Sequence, residues 1–352
     1  MARFGFGVCR VRCGGLRFLV AMTMSARSAS LPRVVVVTTG GTIAGASSSS
    51  TGGAYTAGVL GADALLAAVP ELSQVARVQA EPLFAMDSAD FTDVHLLQLA
   101  RRVAALAQRA DVDGIVITHG TDTLEDSAYF LHLTLKTAKP VVFTAAMRPA
   151  TALGADGPRN LYEAVCVAAC PRAAGLGALV VMNGAIWSGR DVIKRDAAQV
   201  HAVQSPYGPL GWVADGGPRF YRAPCRPHTL ASAFDATAIQ ALPPVAVVAA
   251  YGGMDATAHE ALAARGVRAI VHAGWGTGTA PAALAPAWAR LQAAGIWLVR
   301  TSRTGSGPLP RERSPGWLCA DDQSPSQARL LLALGLTQTQ QGAALQALFD
   351  RY

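Results

Sequence analysis

Two short segments carry the residue types that nucleophilic catalysis requires. The first, Thr38 to Gly45, reads TTGGTIAG, and the second, His119 to Ser127, reads HGTDTLEDS. Both place threonine hydroxyls next to glycine, and the second adds a carboxylate. A hydroxyl is a weak nucleophile until a base takes its proton. Glycine lets a substrate approach the backbone closely and can leave N–H groups free to bind an oxyanion. The two segments therefore indicate a site for nucleophilic chemistry.

The same residues have simpler interpretations. A Gly–Gly turn followed by threonine is also typical of a tight turn whose hydroxyl caps the next helix. His119 could be the base, but a histidine buried at a strand end is more often a hydrogen-bonded structural residue. The first segment lacks the lysine of a phosphate-binding loop and the G-x-G-x-x-G pattern, which disfavours nucleotide binding.

The elements that must position these residues are buried parallel strands. Each segment follows a continuous apolar run, Val34 to Val37 in the first case and Gly114 to Ile117 in the second, as in strands covered on both faces. Strand-like and helix-like segments alternate along the chain, which predicts an α/β fold. Ligands bind outside the carboxyl ends of the strands in such sheets, and both segments lie there.

The alternation also predicts the domain organisation. We expect a larger N-terminal catalytic domain with a mostly parallel sheet at 33–214, and a linker rich in Gly, Pro and Arg at 215–243. A smaller C-terminal α/β domain with a flavodoxin-like parallel sheet is expected at 244–352. Residues 1–32 form a leader, either disordered or untranslated or a weak export signal, since basic residues precede a short apolar stretch.

Charge and composition exclude two classes of partner. The formal net charge is +7, but six arginines and no acids lie in the first 33 residues, so the rest of the chain carries only +1. That nearly neutral body offers no evident surface for nucleic acid. No apolar run is long enough to cross a membrane. The six cysteines show no zinc-site spacing, and we expect them to be buried thiols in a reducing compartment.

At its two motifs the sequence resembles the bacterial-type L-asparaginases. The matching segments are TGGTIAG (39–45) and HGTDTLEDSAYFL (119–131), and the resemblance continues through AAMRPATALGADGPRNLYEAV, VVMNGAIWSGRDVIK, YGPLG and SRTGSG. It covers nearly all of the chain after the leader. It implies hydrolysis of L-asparagine to L-aspartate and ammonia through an acyl-enzyme, without cofactor or metal, in a cytoplasmic or periplasmic homotetramer built as a dimer of dimers.

The resemblance also implies a role for individual residues. Thr42 matches the nucleophile, and Tyr55 matches the lid tyrosine that activates or positions that threonine. Thr121, Asp122 and Lys194 match the Thr–Lys–Asp relay. Ser88 matches a serine that binds the substrate's α-carboxylate. The implied substrate-binding residues are Gly41, Asp87, Ser88, Gly120, Thr121, Asp122 and Ala146.

The chain departs from the family pattern at three places. Ala89 follows Ser88 where many relatives carry Gln or Glu against the substrate's α-amino group. The segment AYGGMDA (250–256) replaces an asparagine-containing form. Glu312 is only a weak match for an acid that reaches the neighbouring subunit's site. These departures leave open a broader glutaminase or amidase, an amidotransferase subunit acting on misacylated tRNA, and a silent amino-acid-binding protein on the same fold.

Overall fold

The computed structural model describes residues 30–51, 55–311 and 316–352. The predictions for most of the leader and for Glu312 therefore lie outside the described residues. The segment from Pro32 to the last residue forms one unit that contains two principal sheets. None of the helices in this described part is long and apolar enough to cross a membrane.

The larger sheet has eight strands in the order β10-β9-β6-β5-β4-β3-β1-β2. Its strands are β1 (Arg33–Gly40), β2 (Arg77–Met86), β3 (Gly114–Thr118), β4 (Val141–Thr144), β5 (Ala178–Met182), β6 (Ala185–Ser188), β9 (Gly211–Ala214) and β10 (Gly217–Phe220). The pairs from β2 through β5 are parallel, and the β5–β6, β6–β9 and β9–β10 pairs are antiparallel. The prediction of a mostly parallel sheet is confirmed. The sheet continues through β10 into the segment predicted as linker.

Helices cover both faces of this sheet, which explains its continuous apolar strands. They are α1 (Ala62–Ala67), α2 (Leu72–Val75), α3 (Asp93–Gln108), α4 (Leu124–Thr134) and α5 (Gly157–Ala168). Every residue of β3, β4 and β5 is buried. Burial of apolar side chains on both faces is the principal driving force that holds such a sheet together.

The second sheet has four parallel strands in sequential order, as expected for a separate C-terminal α/β unit. Its strands are β11 (Val245–Ala249), β12 (Ala269–Gly274), β13 (Trp297–Ser302) and β14 (Leu318–Cys319). The helices of this half are α6 (Thr257–Ala264), α7 (Ala285–Ala293), α8 (Pro325–Leu336) and α9 (Gly342–Arg351). Helix α8 packs against both α4 and the second sheet, so one hydrophobic core joins the two halves.

A buried arginine adds a polar connection between the halves. Arg190, only 7% exposed, donates two hydrogen bonds to the carboxylate of Asp322, at 2.8 and 3.0 Å. It also donates to Asp191 at 2.7 Å and to the backbone oxygen of Tyr352 at 2.8 and 3.0 Å. The hydroxyl of Tyr207 donates to Asp322 at 2.6 Å. Every N–H of the Arg190 guanidinium group, which connects the two halves, therefore has an acceptor, as a buried charge requires.

A two-stranded ladder lies apart from both sheets. It consists of β7 (Ile193–Lys194) and β8 (Val203–Gln204), which pair antiparallel. This short ladder begins three residues after Arg190 and carries Lys194.

Candidate active site

The carboxyl ends of β1 and β3 meet, as the sequence predicted. The two strands are parallel neighbours with Thr38 opposite Thr118, and Thr39 donates a hydrogen bond to the carbonyl of Thr118 at 2.9 Å. Beyond the strands, the backbones of Gly41 and Gly120 touch. A Cβ atom added to Gly41 would lie 2.4 Å from both Cα and N of Gly120. The two glycine–threonine segments therefore form one surface.

Gly41 also has a backbone conformation that requires glycine. Its φ is +76°, in the region that L side chains avoid. Its N–H donates to the carbonyl of Met86 at 2.9 Å, so the expectation that this N–H is free for an oxyanion is wrong. The turn needs that bond because it ties the end of β1 to the end of β2. The N–H of Thr42, the first residue of a short 3₁₀ helix (Thr42–Ala44), has no helical partner.

Thr42 and Tyr55 form the first hydrogen-bonded pair of the site. The Oγ1 of Thr42 lies 2.6 Å from the hydroxyl of Tyr55. Thr42 is buried, whereas Tyr55 is 40% exposed. A hydroxyl buried at a strand end and bonded to one phenol is placed for proton exchange between the two groups.

The segment between these two residues is tied to the rest of the sheet edge. Ala46 and Thr56 form an antiparallel bridge with hydrogen bonds of 2.9 and 3.0 Å. Gly45 accepts from the N–H of Ala150 at 2.9 Å, and the Thr151 hydroxyl donates to the Ser47 carbonyl at 3.1 Å. These bonds fix both ends of the predicted lid. Residues 52–54 of the lid lie outside the described part.

Lys194, Thr121 and Asp122 form the second group. The Nζ of Lys194 donates to Thr121 Oγ1 at 2.9 Å and to Asp122 Oδ1 at 2.5 Å. Thr121 is buried, and the side chains of Lys194 and Asp122 are 24% and 55% exposed. A lysine held between a hydroxyl and a carboxylate can accept the hydroxyl's proton when it is neutral, while the carboxylate stabilises its charged form.

Ser88 holds the second group against the end of β2. It lies in a short 3₁₀ helix (Ser88–Asp90), where its Oγ accepts from the N–H of Asp122 at 3.3 Å. Its carbonyl accepts from the hydroxyl of Thr123 at 2.9 Å. A Cβ atom on Gly120 would lie 2.4 Å from Ser88 Oγ, so only glycine fits there.

Two other predicted binding residues lie at the border of the site. Asp87 is exposed, and its Oδ1 accepts from the N–H of Ala89 at 3.0 Å. Ala146 follows β4 and is fully buried. Its methyl lies beside Gly157, where an added Cβ would be 3.6 Å away. Their roles toward a substrate stay predictions.

His119 has a structural environment. It is completely buried, its Nδ1–H donates to the carbonyl of Gly120 at 2.8 Å, and its Nε2 accepts from the hydroxyl of Ser127 at 3.0 Å. Burial lowers the pKa of His119 to about 4. A neutral ring with both nitrogens engaged fits the structural interpretation better than that of a base.

The sequence analysis missed one residue of this environment. Glu125, in the first turn of α4, accepts a hydrogen bond from the backbone N–H of Lys194 at 3.0 Å. Glu125 lies within the HGTDTLEDS segment, but no local pattern in that segment indicates its contact with Lys194.

A cleft elsewhere takes no part in this site. It has a volume of about 400 Å³ and lies in the C-terminal half, lined by residues that include Trp288, Arg300 and Trp317. None of the predicted site residues lines it.

Comparison with known proteins identifies the family. The model "Asparaginase, N-terminal" matches residues 33–226, and the model "Glutaminase/Asparaginase C-terminal domain" matches residues 244–349. The chain is 45% identical over 330 residues to the glutaminase-asparaginase of Pseudomonas aeruginosa, covering 92% of this chain and 91% of the relative. It is 39% identical over 333 residues to the probable periplasmic L-asparaginase of Haemophilus influenzae, covering 93% and 95%.

A solved structure agrees with the sequence comparisons. The crystal structure of the probable cytoplasmic L-asparaginase from Campylobacter jejuni superposes with a TM-score of 0.89 at 38% identity, covering 91% of this chain and 100% of that one. The chain therefore belongs to the asparaginase family and is an amidohydrolase of the asparaginase type.

Proposed function

We propose that this asparaginase uses Thr42 as its nucleophile and proceeds through a covalent acyl-enzyme. The observation that carries the proposal is the pairing of Thr42 with Tyr55 at 2.6 Å, on a segment in backbone contact with the one that bears Thr121 and Asp122. Two activated hydroxyls on one surface fit an acyl transfer in two steps.

The first step forms the ester. Thr42 Oγ1 attacks the side-chain amide carbon of L-asparagine while its proton passes to the Tyr55 hydroxyl, which gives up its own hydroxyl proton to the amide nitrogen. The C–N bond then breaks, and ammonia leaves after the nitrogen gains that proton. The N–H of Thr42, which begins the short 3₁₀ helix, is a candidate donor to the oxyanion, a type of contact that contributes strongly to acyl-transfer catalysis.

The second step regenerates the enzyme. Water attacks the ester carbonyl and gives one proton to the relay of Lys194, Thr121 and Asp122. The Thr42–acyl bond then breaks, a proton from the relay returns to Thr42 Oγ1, and L-aspartate is released. Lys194 donates to both other members of the relay. No step calls for a metal or cofactor.

Glutaminase activity is a second candidate. Ala89 follows Ser88 at the edge of the site, where many relatives carry Gln or Glu against the substrate's α-amino group, and the loss of that polar anchor favours a broader substrate range. The name of the Pseudomonas aeruginosa relative, glutaminase-asparaginase, agrees with this reading. Steady-state rates on both amides would give the ratio of kcat/KM directly.

Assembly and compartment are further proposals. Family membership supports a homotetramer, which light scattering after gel filtration would test. The described cysteines, Cys166, Cys170, Cys225 and Cys319, are free thiols, which supports the cytoplasm, while the Haemophilus influenzae relative supports the periplasm. Fractionation of cells that express the full chain would decide between them.

Replacing Thr42 tests the proposed nucleophile. Thr42→Ala removes the attacking oxygen and should lower kcat on asparagine by more than about 10³-fold. Thr42→Ser is the matched control, since it keeps a hydroxyl and should keep measurable turnover. A Thr42→Ala variant that releases ammonia at the wild-type rate would show that another group attacks. A wild-type protein that binds asparagine without releasing ammonia would instead indicate a silent binding protein.

A further inference from the structure

Lys194 lies on a short strand that belongs to neither of the two principal sheets. Strand β7 has two residues and, among the described residues, pairs with the two residues of β8 alone, outside both larger sheets. Beyond that ladder, the backbone N–H of Lys194 donates to Oε2 of Glu125 at 3.0 Å. This bond reaches from the isolated ladder to the main body of the fold.

Glu125 connects the two sides of the relay. It lies in the first turn of α4, which begins at Leu124, directly after the segment with Thr121 and Asp122. Its carboxylate reaches the backbone of the residue whose ammonium group contacts both of those side chains. One side chain therefore joins the helix that follows Thr121 and Asp122 to the strand that carries Lys194.

The charged groups around the Glu125 carboxylate fit a side chain that holds its neighbour in position. Burial, with a smaller contribution from the charge of Asp126, raises the pKa of Glu125 to about 7, although the Lys194 N–H and the charge of Arg195 act in the opposite direction. Arg195 is itself fixed, since it donates to the carbonyls of Thr304 and Gly305 at 3.2 and 3.1 Å.

We propose that Glu125 is a positioning residue that sets the distance between the Lys194 ammonium group and the Thr121 hydroxyl by binding the Lys194 backbone. The inference rests on the relay of the proposed function. Glu125 contacts neither the relay side chains nor Thr42 in the hydrogen bonds described, so it acts through the placement of Lys194.

Two substitutions separate position from charge. Glu125→Gln keeps the length of the side chain and an oxygen that accepts from the N–H, but removes the charge. Glu125→Asp keeps the charge and withdraws it by one methylene. A positioning role predicts that Glu125→Gln keeps kcat within about threefold of wild type at pH 8, while Glu125→Asp lowers kcat about tenfold or more. KM should change less than kcat in both variants. The opposite result, in which Glu125→Asp keeps its kcat and Glu125→Gln loses it, would overturn the inference.

The pH profile gives a readout that a merely structural role would not move. A charged acceptor binds an N–H more strongly than a neutral one, so wild-type kcat should fall, by no more than about threefold, as pH drops through about 7, when Glu125 gains its proton. The Gln variant should lack that inflection. Identical profiles for both proteins would contradict the inference, and this comparison remains available if the Asp variant fails to fold.

Two controls complete the experiment. Asp126→Asn changes the neighbouring buried carboxylate, which has no contact with Lys194, and should keep kcat while moving the inflection to lower pH. Thr42→Ala is measured in parallel. If Thr42→Ala stays active, the proposed function itself fails. If Thr42→Ala is inactive and all Glu125 variants match wild type, only the positioning role fails.

Discussion

Removing one oxygen from Tyr55 isolates the contribution of the Thr42–Tyr55 pair. Tyr55→Phe deletes the hydroxyl that lies 2.6 Å from Thr42 Oγ1 and leaves the ring. The ring packs against Gly45, where an added Cβ would lie 2.8 Å from its Cδ2. The substitution should therefore leave the lid in place and change only the hydrogen bond.

The size of the effect distinguishes two roles for Tyr55. A neutral hydrogen bond contributes about 1 kcal/mol net, so its loss would lower kcat only about fivefold. A group that takes the proton from the nucleophile contributes about 10² to 10⁴-fold. Tyr55 is the hydrogen-bond partner of the Thr42 hydroxyl in the described part of the chain. We therefore expect kcat to fall by about 10²-fold or more.

The assay is ammonia release from saturating asparagine, coupled to NADH oxidation by glutamate dehydrogenase. Tyr221→Phe is the matched control, because Tyr221 is 66% exposed and lies outside the site. Its kcat should equal that of wild type. A Tyr55→Phe variant that keeps a fifth or more of the wild-type kcat, with an unchanged thermal melt, would refute the proton-transfer role.

Three further predictions concern the framework of the site. Gly41→Ala should lower the free energy of unfolding by more than about 2 kcal/mol in urea titrations, or prevent folding, because the new Cβ would meet the backbone of Gly120 at 2.4 Å in a φ region that favours glycine. Arg190→Ala should cost about 3–5 kcal/mol of unfolding free energy, since it removes the ion pair of the largely buried Asp322 carboxylate and leaves it only the hydrogen bond from Tyr207. For His119→Gln, the pH dependence of unfolding is the readout. The folded pKa of about 4 lies below the unfolded value of 6.5, so wild type loses stability as pH falls from about 6.5 to 4. The variant's slope in that window should be smaller by about 1.4 kcal/mol per pH unit.

Each of these predictions has a clear contrary result. A Gly41→Ala protein as stable as wild type would mean that the turn relaxes without cost. A loss below 1 kcal/mol in Arg190→Ala would mean that the polar connection between the halves is dispensable. Equal slopes in wild type and His119→Gln would mean that the buried ring takes up its proton in the folded state.

The α/β class and the position of the site could be predicted because both depend on local patterns. Continuous apolar runs such as Val34 to Val37 fit only strands covered on both faces, and Gly–Thr segments after such strands must lie at one edge of a parallel sheet. The predicted meeting of the Thr42 and Thr121 segments followed from these two rules alone.

What could not be predicted depends on contacts between distant segments. The N–H of Gly41 donates to the carbonyl of Met86, 45 positions further along the chain, and no local sequence pattern predicts that partner. The contact of Glu125 with Lys194 could not be predicted for the same reason, because the two residues lie 69 positions apart. The connection through Arg190 and Asp322 spans the two halves, and pairing of that kind is set by the tertiary fold.

Rapid quenching followed by mass spectrometry tests the central claim most directly. Full-length enzyme is mixed with asparagine, acid-quenched within milliseconds, digested and analysed for modified peptides. The account predicts an ester-linked aspartyl group on Thr42, absent from Thr42→Ala and lost as turnover ends. A burst of ammonia together with an adduct on Thr121, or with no adduct on the peptide that contains Thr42, would contradict it.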